Sequence, residues 1–205
     1  MNLDTLLRGM ILGFSIAAPV GPIGVLCIRH TLADGRRYAF VSGLGAATAD
    51  AIYGCIAGFG LTLVSDLLLA HLIWLQAVGG LYLCYLGLTT FWSTPTEHAA
   101  TSRAASLLSA YTSTLFLTIT NPMTILTFMA IFAGMGIAAS GQSYTAAGAL
   151  VLGVFTGSAL WWLLLTGGVG LFRSRLDPRR LRWINQASGV MIAGFGLLAL
   201  LSLWR

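Results

Sequence analysis

The chain has 205 residues and only 17 charged side chains, of which 11 are basic, all of them Arg, and 6 acidic. An average soluble domain carries roughly 25% charged residues; here the share is 8%, with 57% hydrophobic residues and a mean hydropathy of +0.86. So few charges cannot cover a water-soluble globule, which excludes a cytosolic enzyme, a disordered chain and, despite the net charge of +5, a nucleic-acid-binding domain.

Six apolar segments follow in order: residues 6–28, 38–64, 72–92, 105–133, 144–172 and 183–204. About 20 apolar residues cross a hydrocarbon core of about 30 Å, so this length accommodates roughly six crossings and no extra soluble domain. Each crossing must be helical, because backbone polar groups in lipid have to be satisfied within the segment. The first run does not read as a cleaved leader: it carries Asp4 and Arg8 ahead of its long apolar stretch, Pro19 and Pro22 interrupt it, and no small-residue cleavage site follows.

The connections are short and polar. Those at residues 29–37, 93–104 and 173–182 hold nine of the eleven Arg; the connections at 65–71 and 134–143 hold none, and Arg8 and Arg205 lie near the termini. The positive-inside rule then puts the Arg-rich connections in the cytoplasm and both termini outside. Trp74, Trp92, Trp183 and Trp204 fall near segment ends, where an aromatic belt places them. Cys27, Cys55 and Cys84 each sit in an apolar run and read as free, buried and structural.

Glycine lies inside the segments. The pairs Gly9/Gly13, Gly54/Gly58 and Gly153/Gly157 each have G-x-x-x-G spacing, which lets helix backbones approach closely in lipid. Two segments carry interior breakers: Ala18-Pro19-Val20-Gly21-Pro22 in the first and Thr120-Asn121-Pro122 in the fourth. Proline removes an amide donor and opens the helix. Irregular backbone at membrane depth is tolerated where it lines a cavity or is buried in protein. Segments one and four each open a set of three, and three crossings per half reverse the second half relative to the first. The expected architecture is therefore an all-α membrane bundle of six helices in two inverted halves, residues 1–98 and 99–205, with broken helices pointing to a central site. Residues 45–53 can be laid against 153–161, a weak match beside the matched breakers.

Asp50 lies about twelve residues into segment two, roughly 18 Å along the helix and near the midplane. Gly43, Ala46, Ala47, Gly54 and Ala57 share its helical face, so it sits on the bundle-facing stripe. An intramembrane acid is expensive, and its default reading is functional. A neutral Asp bonded to a neighbouring helix is the structural alternative. The half-helices starting at Pro22 and Pro122 would offer amide donors to a carboxylate, while Asp50 would meet an ammonium group or carry a proton. Tyr53 and Trp161 are candidates for the same cavity, with core packing as the alternative. A single intramembrane acid, three His at segment ends or in loops, and no H-E-x-x-H or G-x-S-x-G argue against a membrane protease. A lipid-modifying enzyme or an assembly subunit is less favoured, and neither a charge ring nor a filter suggests a channel.

The runs Pro19-Val20-Gly21-Pro22-Ile23-Gly24-Val25-Leu26-Cys27-Ile28-Arg29, Gly35-Arg36-Arg37 and Gly43-Leu44-Gly45-Ala46-Ala47-Thr48-Ala49-Asp50-Ala51-Ile52-Tyr53-Gly54 resemble the opening of the LysE family of amino-acid exporters. Gly80-Leu81-Tyr82-Leu83-Cys84-Tyr85-Leu86-Gly87 and Thr120-Asn121-Pro122 match its pattern further on. The resemblance implies a bacterial inner-membrane secondary exporter of amino acids, including basic ones such as lysine or arginine, coupled to a proton or ion gradient. It gives weight to Pro19, Gly21, Pro22, Asp50, Asn121 and Pro122. It departs at Met123, where the family often has Lys. The implied partners are the lipid bilayer, the cargo and the coupling proton or ion, with a homodimer as an open option; no cofactor, metal or nucleic acid is called for. A relative's cargo of another kind, such as a metal cation, is the alternative, and no Cys or His cluster in the segments favours it.

Overall fold

The structure, a computed structural model, describes residues 3–19, 21–59, 62–93, 103–135, 144–172 and 178–204. Every regular element among the described residues is helical: α1 (Leu3–Ala17), α2 (Pro22–Ala33), α3 (Arg36–Gly58), α4 (Thr62–Ala70), α5 (Leu72–Trp92), α6 (Arg103–Ile119), α7 (Pro122–Met135), α8 (Tyr144–Gly170), α9 (Pro178–Leu201) and a short 3-10 turn (Ser202–Trp204).

Four helices are long and apolar enough to cross a membrane singly: α3, α5, α8 and α9. The first apolar segment splits into α1 and α2, bent by 82°, which make a fifth crossing if counted as one. The fourth segment splits at Thr120-Asn121 into α6 and α7, of 17 and 14 residues. Proline explains both new starts. Pro22 and Pro122 occupy the first helical position, where the missing N–H costs nothing and the fixed φ favours the turn.

Three boundaries differ from the sequence expectation. Segment two ends at Gly58, and the supposed connection at residues 65–71 falls mostly in α4. The sixth helix starts five residues early, at Pro178, and takes Arg179, Arg180 and Arg182 into its first turns. The first Arg-rich connection shrinks to Asp34-Gly35: Arg29 belongs to α2, while Arg36 and Arg37 open α3. Gly35 has φ 104°, a conformation that a side chain would strain, and both Asp34 and Gly35 donate their amides to the His30 carbonyl. Helices that continue into water with polar residues look like loops on hydropathy alone.

The bundle is assembled through backbone contact at glycine. α1 and α8 run parallel: a Cβ on Gly13 would come within 2.8 Å of Val154 Cα, and one on Gly157 within 2.8 Å of Met10 Cα. Gly9 and Gly153 face each other in the same seam. Two of the three G-x-x-x-G pairs therefore pack on one another, as small-residue motifs do in lipid. The third, Gly54/Gly58, makes only ordinary contacts with Val154 and Ala147 of α8. A second seam, which the G-x-x-x-G spacing did not mark, joins antiparallel α5 and α9, where Gly87 meets Gly189 and Gly80 meets Gly196.

α3 is the centre. It packs antiparallel to α8 and parallel to α6, while α2 lies on α3, α8 and α9. One core cluster gathers Ala17, Leu26, Cys27, Ala46, Leu117 and Trp162; a second gathers Tyr53, Ile56, Ile125, Phe128 and Val154. Cys27 is buried as expected, whereas Cys55 and Cys84 are half-buried; all three are free thiols. Trp74, Trp92 and Trp183 are exposed close to helix ends.

Candidate functional site

Asp50 is 3% exposed, in the middle of α3. Gly43, Ala46, Ala47 and Gly54, expected on its face, are buried with it, and Ala57 is half-buried. Its side-chain partner among the described residues is Ser158 of α8, whose Oγ donates to Oδ2 at 2.7 Å. An ionised carboxylate at this depth with no cation beside it costs several kcal/mol. The group is thus placed where gain or loss of a proton, or arrival of a cationic group, has a large energetic consequence.

A second polar link lies between Asp50 and the start of α3. Ser42 and Thr114 share a hydrogen bond of 2.6 Å between their hydroxyls, and Cys27 Sγ donates to Ser42 Oγ at 3.9 Å. Ser42 and Thr114 are both fully buried. They tie α2, α3 and α6 together about 12 Å before Asp50 along the axis of α3.

The break between α6 and α7 is closed by its own polar groups and by Tyr53. The Asn121 amide donates to the Thr118 carbonyl at 3.3 Å, filling the place that Pro122 vacates. Tyr53 Oη donates to the Ile119 carbonyl at 2.5 Å. Asn121 Oδ1 accepts the Met123 amide at 3.1 Å and so caps α7 from within. Thr120 is buried and donates its hydroxyl to the Phe116 carbonyl at 2.9 Å. The anion-binding amides expected at Pro122 are therefore partly occupied. Pro122 and Asn121 are half-buried, and Met123 is exposed.

The break between α1 and α2 is built differently. Pro19 is exposed in a bend, and Gly21 precedes Pro22 with extended backbone and no side-chain cap. A Cβ on Gly21 would meet nothing within 4 Å. Trp161, half-buried on α8, packs edge-to-face on Phe14 of α1 with ring centroids 5.4 Å apart. The nine residues singled out by sequence thus fall in three places: Asp50 at the α3–α8 contact, Tyr53 with Thr120, Asn121 and Pro122 at the second break, and Pro19, Gly21 and Pro22 at the first, with Trp161 of α8 packed against α1, the helix leading into it.

Two features escaped the sequence reading. Ser158 is one; its only signal was the weak internal match of residues 45–53 with 153–161. The other is a cavity of about 470 Å³ at the opposite end of α3 from Gly58, lined among others by Arg29, His30, Tyr38, Tyr82 and Ser113. Arg29 stands out in the sequence as an orientation charge and as the last residue of the run that resembles the family's opening, with nothing to mark a cavity beside it. Its Nε donates to Asn185 Oδ1 at 3.1 Å, Nη2 donates to Ser93 Oγ at 3.2 Å and Nη1 lies 3.4 Å from Asp34. Among the described residues no three His, Cys, Asp or Glu side chains gather as a metal site.

The LysE type translocator family model matches residues 14–203. A Bacillus subtilis (strain 168) protein named "Putative amino acid efflux protein YcgF" is 28% identical over 200 residues, covering 95% of this chain and 94% of its own. No solved structure matches the chain. With its breakers, its buried Asp50 and its apolar helices inside that match, this multi-pass inner-membrane protein belongs to the LysE type translocator family.

Proposed function

We propose that this chain exports amino acids across the bacterial inner membrane by alternating access, driven by a proton or ion gradient. The carrying observation is that Asp50, the one buried acid among the described residues, meets Ser158 at the contact between helices of opposite halves. Taking α1–α2 and α6–α7 as one broken crossing each gives six crossings with both termini outside. Helix directions support that count: α1 and α8 run parallel, α3 and α6 run parallel, and α3 opposes α8 as α5 opposes α9. The pairing is the one expected of an inverted repeat, because exchanging the halves turns the α1–α8 contact into the α6–α3 contact and leaves the α3–α8 and α5–α9 contacts in place.

The Bacillus relative's name supports amino acids as the cargo class. Asp50 takes the proton or the cargo's ammonium group in turn, and the two breaks supply the backbone flexibility and carbonyl groups of the central passage. Neither proton nor cargo has to cross as a bare charge in lipid, since each is met by Asp50. The test is an efflux panel. Cells overproducing the chain are loaded with each amino acid, lysine and arginine included, and efflux is timed with and without the proton gradient. Faster, gradient-dependent release of at least one amino acid is expected; no acceleration for any would end this reading.

A further inference from the structure

The cavity beside Arg29 lies on the side of the bundle where the Arg-rich connections converge, about 18 Å along α3 from Asp50, counting from Tyr38. Its walls come from the end of α2, the start of α3, the second half of α5 and the start of α6. Among the described residues one cation, Arg29, lines it, together with tyrosines and small hydroxyl residues; no described acid is in the lining, and Asp34, which pairs with Arg29, lies outside it. Arg29 is held rigidly by Asn185, Ser93 and Asp34. A guanidinium has five N–H donors, and those three contacts use three of them. The other two belong to Nη1 and Nη2. Tyr82, fixed by a 2.7 Å hydrogen bond to Ser113 and an edge-to-face contact with Phe116, forms an ordered aromatic wall. The Ser42–Thr114 hydrogen bond lies between this cavity and Asp50.

We propose that this cavity is the cytoplasmic entry subsite for the cargo, selecting a solute with a carboxylate and an uncharged side chain. Two features carry it: a clamped guanidinium with donors to spare, and a lining that holds no acid among the described residues. The carboxylate takes the two remaining Arg29 N–H groups, a charge-assisted pair. The side chain lies along Tyr82 and Tyr38. A second positive charge on the cargo would face Arg29 with no acid in the described lining to balance it, Asp34 being already paired to Arg29, so neutral amino acids enter ahead of lysine or arginine. This assignment rests on the exporter reading and narrows its cargo. Passage onward to Asp50 requires the Ser42–Thr114 link to part.

Inside-out membrane vesicles present this face to the medium. Gradient-driven uptake of radiolabelled L-leucine, L-phenylalanine, L-leucinamide and L-lysine is measured for the intact chain, for Arg29→Gln and Arg29→Lys, and for Ser109→Phe, which fills the cavity from an exposed position on its wall. Leucine or phenylalanine is expected to enter well, with leucinamide and lysine at least about tenfold poorer in kcat/KM. Arg29→Gln and Ser109→Phe should each raise KM for the neutral amino acids about tenfold or more, with Arg29→Lys recovering part of the loss. KM for the same solutes presented to the opposite face in right-side-out vesicles should not move; a purely structural role of Arg29 would lower kcat equally from both faces. If Arg29→Gln fails to fold, Ser109→Phe carries the test. Unchanged KM in the folded variants, or preference for lysine, overturns the entry subsite while leaving the exporter reading intact. Absence of uptake for every amino acid in the intact chain overturns both.

Discussion

Ser158 Oγ reaches Asp50 Oδ2 at 2.7 Å, and the two residues occupy corresponding places when residues 153–161 are laid on 45–53. This contact ties α3 to α8 at the point where the two helices cross.

Substitution at that contact separates its two roles. Asp50→Asn keeps the volume and a hydrogen-bonding end but cannot alternate between protonated and ionised forms. In proteoliposomes it is expected to lose gradient-driven efflux while remaining folded by size-exclusion chromatography; full proton-coupled transport would end the proposal. Ser158→Ala removes the donor and leaves a buried acceptor, a loss of about 1–3 kcal/mol in stability that thermal unfolding in detergent would register.

Tyr53 holds the second break shut by donating to the Ile119 carbonyl. Tyr53→Phe keeps the ring on Phe128, 5.3 Å away, and removes only that donor. The freed carbonyl has no helical donor to replace it. A cost of about 1–3 kcal/mol is expected, read as a lower midpoint of thermal unfolding. An unchanged midpoint would mean that the carbonyl finds another donor.

Asn121 caps α7 with its own side chain. Asn121→Ala should cost about 1 kcal/mol and speed exchange of the Met123 amide, and Asn121→Asp should restore most of the protection. Equal exchange rates in all three proteins would show that the cap does not govern this turn.

The glycines are not equivalent. A Cβ at Gly13 would run into the Val154 backbone, whereas one at Gly148 meets nothing within 4 Å. Gly13→Ala is expected to destabilise the bundle by about 1–3 kcal/mol, because two helix backbones would have to separate. Gly148→Ala is expected to be neutral or slightly stabilising, as alanine is the better helix former. Matched thermal denaturation of the two variants decides the point.

Legibility from sequence tracked how local each signal was. α5 coincides with the predicted residues 72–92, and α8 starts where expected at Tyr144, because each is an unbroken apolar run with polar flanks. Both proline breaks were readable, since proline acts on its own turn. α4 was lost because Asp66 within it and His71 just after it give the stretch the appearance of a loop, and the early start of α9 was lost among arginines for the same reason. The burial of Asp50 could be inferred from its small neighbours at helical spacing. Its partner could not, because Ser158 is 108 positions away and reaches Asp50 only through the register of two packed helices. The cavity at Arg29 was hidden most deeply: it exists through the convergence of four helices, and an arginine at a segment end looks the same whether it faces water or a pocket.

The glycine seam between α1 and α8 bears on how the chain comes to be made. Gly9 and Gly13 leave the ribosome early, yet the backbone they fit is that of Gly153 and Gly157. α3 likewise waits for α6 and α8, and α5 for α9. During synthesis the first helices must therefore rest in the bilayer unpaired, or under the care of the insertion machinery, until most of the polypeptide has emerged. A product terminated near residue 98 would leave α1, α3 and α5 without their principal neighbours, and its fate would be degradation instead of a half-sized bundle.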